Sequence, residues 1–226
     1  VLAKDEDNIL PVASGSKLNV FGWASTNPCY GGTGSGALNT AYPVTDLLTG
    51  LHDAGIETNE ELSKFYTDYK ADRPSVGMVA QDWTLPEPNV NLYTDEMMEN
   101  AKAFSDTAMV VITRVGGEGA DLPTDMASVV DGSWVRRVAQ AYGSDRGTAY
   151  YNGTYDDTLN EGNDWDKGDH FLQLSNREEE LLDLVTANFD NVILVYNGAN
   201  AFQMDFVSKY PQIKGVLLCP GTGQSG

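Results

Sequence analysis

Three features of this sequence predict an α/β fold, a three-layer α/β/α sandwich on a mostly parallel sheet. Short apolar runs rich in Val and Ile recur along the chain, stretches of helical spacing lie between them, and the runs are unbroken rather than alternating. A strand covered by helices on both faces has no solvent side and needs no polar positions, whereas a one-sided sheet alternates. Strands that alternate with helices are joined by crossovers, which favours parallel pairing.

The strands are expected at Leu18–Trp23, Thr107–Thr113, Asn191–Tyr196 and Gly215–Cys219. Between them, Thr45–Ala54 places Leu47, Leu48 and Leu51 at helical spacing. Asn59–Tyr69 opens on a capping residue before Leu62, Phe65, Tyr66 and Tyr69. Thr94–Phe104 begins with acids in its first turn, where the partial positive charge of a helix start favours them. Ser175 followed by Glu178 forms a capping box, and Leu181, Leu182, Leu184, Val185 and Phe189 then make one broad apolar face.

Two stretches break the rhythm. Gln81–Tyr93 is rich in Pro, and residues 141–170 form a long insertion of Gly, Asn, Asp and Tyr with almost no aliphatic residues. Loops beyond about 12–15 residues in a compact domain tend to be functional or disordered. The aromatics of this one, Tyr142, Tyr150, Tyr151, Tyr155 and Trp165, predict an ordered excursion packed on the rest. The last residues, GVLLCPGTGQSG, read as a strand and a glycine-rich turn without a covering helix. The expectation is one domain over residues 1–226, a segment of a larger protein cut at its C-terminal end.

The 226 residues hold 14 Lys plus Arg against 33 Asp plus Glu, a formal net charge of −19. A surface this acidic repels a phosphate backbone, so no nucleic-acid partner is expected. No apolar run approaches the roughly 18 residues a membrane helix needs, so no membrane partner is expected either. Cys29 and Cys219 form no CxxC or Cys/His zinc pattern and read as free thiols. No GxSxG is present to support serine hydrolase chemistry, and His52 and His170 have no nucleophile motif between them.

Three segments bear chemistry. Asn27–Gly36, NPCYGGTGSG, contains a GxGxxG/A match over Gly32–Ala37, but its glycines start well past the strand where a dinucleotide fingerprint demands a tight turn. It reads as a nucleotide loop, a flexible loop or a ligand-facing loop. Arg114–Asp125, RVGGEGADLPTD, follows a strand directly, so Glu118 stands at the carboxyl end of the sheet, where ligands gather in open α/β folds. Gly116, Gly117 and Gly119 strip side chains from around it and let another surface or a sugar ring approach; the plainer reading is an exposed acidic turn. Asn160–His170 alternates Asp and Asn, yet Trp165 or Lys167 falls where a calcium loop needs a ligand. It reads as a solvated acidic loop, in which Trp165 would otherwise stack on a sugar face. No metal ion or other cofactor is implied.

Taken together, these segments resemble the second, α/β-sandwich domain of glycoside hydrolase family 3, the β-glucosidase and β-xylosidase family. The likeness begins at KDEDNILPV, similar to a family segment of the type KNEDNILPL. It continues through VFGWASTNPCYGGTGSG, VVITRVGGEGADLP, Lys167-Gly-Asp169, LSNREEELL, NVILVYNGAN and VLLCPGTGQSG. Their order and spacing together are more specific than any one of them.

The resemblance implies a sandwich packed on a (β/α)8 barrel of the same protein, with the active site between them and a barrel Asp as nucleophile. It implies that Glu118, on the GEG loop, is the general acid/base, with Arg114, Asp121 and Lys167 shaping the site and a β-glucoside or oligosaccharide as substrate. The barrel is absent from these residues, so the chain alone is expected to be inactive. A retaining glycosidase uses two carboxyls, one attacking and one protonating the leaving oxygen, and the acid needs a raised pKa. A cation on Glu118 would oppose that, so Arg114 is expected to point elsewhere or toward Asp121. The alternative is a non-catalytic carbohydrate-binding or interface module in which aromatics such as Trp23 and Trp165 do the binding.

Overall fold

The computed structural model describes residues 1–39, 41–77, 81–134, 153–160 and 162–223. Tyr142, Tyr150 and Tyr151 of the insertion lie outside them. The first strand, β1 (Leu2–Asp5), precedes β2 (Lys17–Phe21), α1 (Leu47–Asp53), β3 (Glu57–Thr58) and α2 (Glu60–Tyr69). Next come β4 (Gln81–Asp82), α3 (Asp95–Phe104), β5 (Thr107–Thr113), α4 (Met126–Val130) and β6 (Gly153–Thr154). The chain closes with α5 (Asn176–Asn188), β7 (Asn191–Asn197) and β8 (Ile213–Cys219).

The main sheet runs β1-β8-β7-β5-β2-β3, all parallel except the edge strand β1. Unbroken apolar runs become the central strands: every residue of β5 and β7 after the first is buried. On one face Phe21, Val110, Ile112, Leu194 and Val216 pack with Leu62, Met98, Leu181 and Val185 of the helices. On the other Val20, Met109, Val111, Ile193 and Val195 pack with Ile56, Leu47, Leu48 and Leu51. These two apolar layers and the sheet between them make the three-layer α/β/α sandwich.

Capping residues set the helix starts. Asp46, Asn59, Thr94 and Ser175 each accept a hydrogen bond from a first-turn amide of α1, α2, α3 and α5, and both halves of the Ser175–Glu178 box are made. The edge strand β1 carries no apolar alternation and is placed by backbone pairing with β8, a long-range partner that no local pattern announces.

A satellite core gathers Trp83, Leu85, Met126, Val129, Trp134, Tyr155, Trp165 and Phe171. The described part of the insertion is thus the ordered excursion its aromatics predicted. Trp165 meets Phe171 with ring centroids 6.5 Å apart, and the Tyr155 hydroxyl donates to Asp164 at 2.7 Å.

Candidate functional site: a carboxylate at the switch point of the sheet

The strand order fixes where a crevice opens. From β2 the chain crosses to β3 on one side and returns to β5 on the other, so the crossover helices that follow β2 and β5 cover opposite faces of the sheet. Doubly wound sheets bind ligands at such a switch point. The loops leaving it are the two glycine segments, 31–36 after β2 and 114–120 after β5.

Asn197, at the end of β7, ties this end of the sheet together. Its Oδ1 accepts from the Cys29 amide at 2.5 Å and the Thr113 hydroxyl at 3.2 Å, and its Nδ2 donates to the carbonyls of Cys29 and Cys219. Beside it lies a cleft of ≈270 Å³, half of whose lining residues are glycines of the loops at this end of the sheet and the other half larger residues such as Cys29, Tyr30, Leu38 and Pro220. Its glycine positions present backbone rather than side chains, so a second surface can approach closely there.

Glu118 sits at the tip of a reverse turn. The Ala120 amide donates to the Gly117 carbonyl at 3.0 Å, and Gly119 holds φ +70°, the left-handed position that a type II turn assigns to glycine. The Glu118 side chain is exposed. Ser35 donates to Oε2 through its amide at 3.0 Å and its hydroxyl at 2.9 Å, and the Thr33 hydroxyl donates to the Glu118 carbonyl at 2.6 Å. The two loops interlock too tightly for side chains. A Cβ on Gly34, where φ is +58°, would stand 2.5 Å from Glu118 Oε2, and one on Gly117 would stand 2.7 Å from the Thr33 nitrogen.

The Ser35 hydrogen bonds hold the Glu118 carboxyl below its ordinary value. The expectation of a raised pKa is therefore not met within this chain, because nothing here buries the carboxyl.

Arg114 corrects the sequence reading. It is fully buried, and its guanidinium forks onto Glu178 at 2.7 and 2.6 Å while donating to the carbonyls of Thr113, Phe171 and Gln173. As expected it avoids Glu118, but it does so by turning inward to Glu178, and it has no surface left for a substrate. Trp165 is corrected likewise: at 9% exposure its ring is spent on Phe171 and Tyr155 rather than offered to a sugar. Trp23, 2% exposed, donates its Nε1 to the Lys70 carbonyl and lies against Arg73. The aromatic carriers of a non-catalytic binding module are thus inside the protein.

Asp121 and Lys167 are exposed. Lys167 stands on a turn closed by the Asp169 amide on the Asp166 carbonyl, with Gly168 at φ +99°. Backbone bonds from Met126 to Asp169 and from Phe171 to Pro123 stitch that segment to the loop bearing Glu118, and Arg114 grips both from below. The Gly32–Ala37 run ends in a single 3-10 turn, Gly34–Gly36. No α-helix begins among the described residues after it until Leu47, so it lacks the helix N-terminus a dinucleotide loop requires. Cys29 and Cys219 are free. His52 Nε2 lies 2.7 Å from the Thr58 hydroxyl, and His170 Nδ1 accepts from the Leu172 amide, so both histidines serve local structure.

Two contacts escaped sequence reasoning. The Ser35–Glu118 and Arg114–Glu178 pairs join residues far apart in the chain without any periodic signature; only the Ser175–Glu178 box hinted that Glu178 was anchored.

Fold and crevice together define an α/β-sandwich domain that offers a carboxylate from a glycine-rich rim. The model for the glycosyl hydrolase family 3 C-terminal domain matches residues 1–226, and the chain belongs to that family. It is 29% identical over 232 residues to beta-glucosidase A of Butyrivibrio fibrisolvens, covering 100% of this chain and 24% of that protein. A beta-glucosidase of Ruminococcus albus is 32% identical over 118 residues, 51% of this chain and 12% of that one. Among solved structures, a beta-glucosidase from Paenibacillus barengoltzii superposes with a TM-score of 0.69 at 26% identity, covering 99% of this chain and 20% of that one. Beta-glucosidase 3B of Thermotoga neapolitana, in complex with glucose, has the same fold with a TM-score of 0.64 at 24% identity, over 99% of this chain and 26% of that one. The chain thus spans about a quarter or less of each of these relatives.

Proposed function

We propose that this chain is one domain of a larger retaining β-glycosidase and supplies Glu118 as general acid/base for the hydrolysis of terminal β-D-glucosyl residues. The observation that carries the reading is the Glu118 carboxylate, exposed at the switch point on a turn whose neighbours are glycines. Membership of family 3 and the beta-glucosidase names of its relatives supply the reaction class. A (β/α)8 barrel of the same protein supplies the nucleophile, roughly 5–5.5 Å from Glu118 in the assembled site. The chain alone lacks that nucleophile and is inactive.

The chemistry runs in two halves. Protonated Glu118 gives its proton to the glycosidic oxygen as the barrel carboxylate attacks the anomeric carbon; ionised Glu118 then takes a proton from the water that releases the sugar. The first half needs a carboxyl held above its present value. Burial under a bound sugar and a second carboxylate nearby both raise it, against the pull of the Ser35 donors. Asp121 and Lys167, exposed around the same stitched segment, contact substrate or barrel. Arg114 and Trp165 hold that segment in place from beneath.

The test is chemical rescue in the full-length protein. With Glu118→Ala and an activated aryl β-glucoside, azide accelerates turnover and yields β-glucosyl azide, because a small anion needs no general base. If azide neither accelerates the variant nor appears in the product, Glu118 is not the acid/base.

A further inference from the structure

The grip of Ser35 on Glu118 goes beyond what identifies the acid/base, and its meaning rests on the reading just proposed. Both donors of Ser35 converge on one oxygen. The amide and hydroxyl reach Oε2 at 3.0 and 2.9 Å, while Oε1 takes no hydrogen bond among the described residues. The loop that brings them is itself pinned, by the Thr33 hydroxyl on the Glu118 carbonyl and by a left-handed Gly34 too close for any Cβ. The Ser35 amide belongs to the Gly34–Gly36 turn, closed by the Gly36 amide on the Thr33 carbonyl at 3.1 Å. The donor pair is therefore preorganised, and Glu118 docks on it.

We propose that Ser35 is a positioning residue for Glu118. By occupying Oε2 it leaves Oε1 as the oxygen that delivers the proton to the glycosidic oxygen and retrieves one from water. A carboxylate free to rotate would present either oxygen in several directions, whereas one oxygen tethered at two points aims the other. Such alignment within the reacting geometry governs rate steeply.

Ser35 also bears on protonation. Its donors favour the ionised form, which suits the base half of the reaction and opposes the acid half. Among the described residues few other charges compete for that role. The loop of residues 31–36 bears no titratable side chain, Arg114 faces inward to Glu178, and Asp121 is exposed on the same loop as Glu118. Lys167, exposed on the segment stitched to this loop, is a further charge of this chain, and the barrel nucleophile adds its own in the assembled site.

The experiment compares wild type, Ser35→Ala, Ser35→Thr and Glu118→Gln in the full-length protein, reading kcat/KM for an alkyl β-glucoside against pH. The basic limb of that profile reports loss of the proton from the acid. Ser35→Ala keeps the amide but loses the hydroxyl, so the basic limb moves to higher pH and kcat/KM at the optimum falls on the order of tenfold through looser alignment. Ser35→Thr restores both the limb and the rate. If Ser35→Ala leaves the basic limb in place while Glu118→Gln abolishes alkyl turnover, the positioning role is overturned and the acid/base assignment stands. If Glu118→Gln turns over alkyl glucosides like wild type, the functional reading falls and the role of Ser35 falls with it.

Discussion

The loop after β5 carries two carboxylate environments that contrast at its root and its tip. At the root, Arg114 forks onto Glu178 inside the protein, both side chains almost wholly buried at 0 and 7% exposure. At the tip, Glu118 is exposed and held by two neutral donors of Ser35. A buried carboxylate facing a guanidinium cannot exchange its proton without leaving an unpaired charge in the interior, so it serves as a fixed point. An exposed carboxylate on hydrogen bonds alone can take up or lose a proton as its surroundings change. The root is built to position; the tip is the end proposed to react. The difference lies in burial and partner, since both residues are glutamates.

Removing the cation at the root gives the largest expected effect on stability. Arg114→Ala strands the Glu178 carboxylate and lowers stability by about 3–5 kcal/mol, read as a drop in the urea midpoint. Arg114→Met combined with Glu178→Leu recovers most of that loss, because neither charge remains buried alone.

A third glutamate separates burial from pairing. Glu87 is buried like Glu178 but has no cation partner among the described residues; it accepts from the Trp23 amide at 2.8 Å and the Tyr93 hydroxyl at 3.2 Å. Burial pushes its carboxyl up to about 8, with the nearby Glu178 adding to the shift. The folded protein therefore keeps a proton that the unfolded chain releases above the ordinary carboxyl value, and stability falls as pH rises from that value toward about 8. From about pH 5 to about pH 7 the wild type loses roughly 2–3 kcal/mol relative to Glu87→Gln, in which this position does not titrate. Urea unfolding at the two pH values measures it; parallel curves for the two proteins would mean that Glu87 is ionised in the fold.

Glycine substitutions act on the tip with smaller energies. Gly34→Ala puts a Cβ 2.5 Å from Glu118 Oε2 and 2.9 Å from its Cβ, at a left-handed φ of +58°. It costs about 1–2 kcal/mol in thermal unfolding and displaces Glu118, so activity of the full-length protein falls more than its stability does. Gly36→Ala, two residues on, meets nothing within 4 Å and stays within about 0.5 kcal/mol of wild type. The pair shows whether the interlock of the two loops, rather than glycine content, governs the site.

How much of this was legible beforehand depended on the range of the interaction. The cores of β5 and β7 were readable because a strand buried on both faces leaves a continuous apolar run, and α5 because its capping box and apolar face lie within one segment. That Glu118 lies on an exposed turn was readable from its glycines and its place after a strand, while its acid/base role was implied only by the family resemblance. Its link to Ser35 was not, because it spans 83 residues and depends on two loops meeting at the switch point. Arg114 was assigned to the site by the resemblance and Trp165 by its ring, while their burial depends on Glu178 and Phe171, partners brought in by the crossovers of the sheet. Local patterns therefore reported elements and turns; which side chains are buried in partnerships and which are left exposed emerged only from pairing.

The most direct test of the tip as the reacting end is the dependence of Glu118→Gln on the leaving group. In the full-length protein, an alkyl β-glucoside, whose basic oxygen needs a proton to depart, loses about 10²–10⁴-fold in kcat/KM, while an aryl β-glucoside with an acidic phenol loses far less. Equal losses on both substrates, or none on either, would contradict the assignment of Glu118 as the acid and leave the proton to another carboxyl.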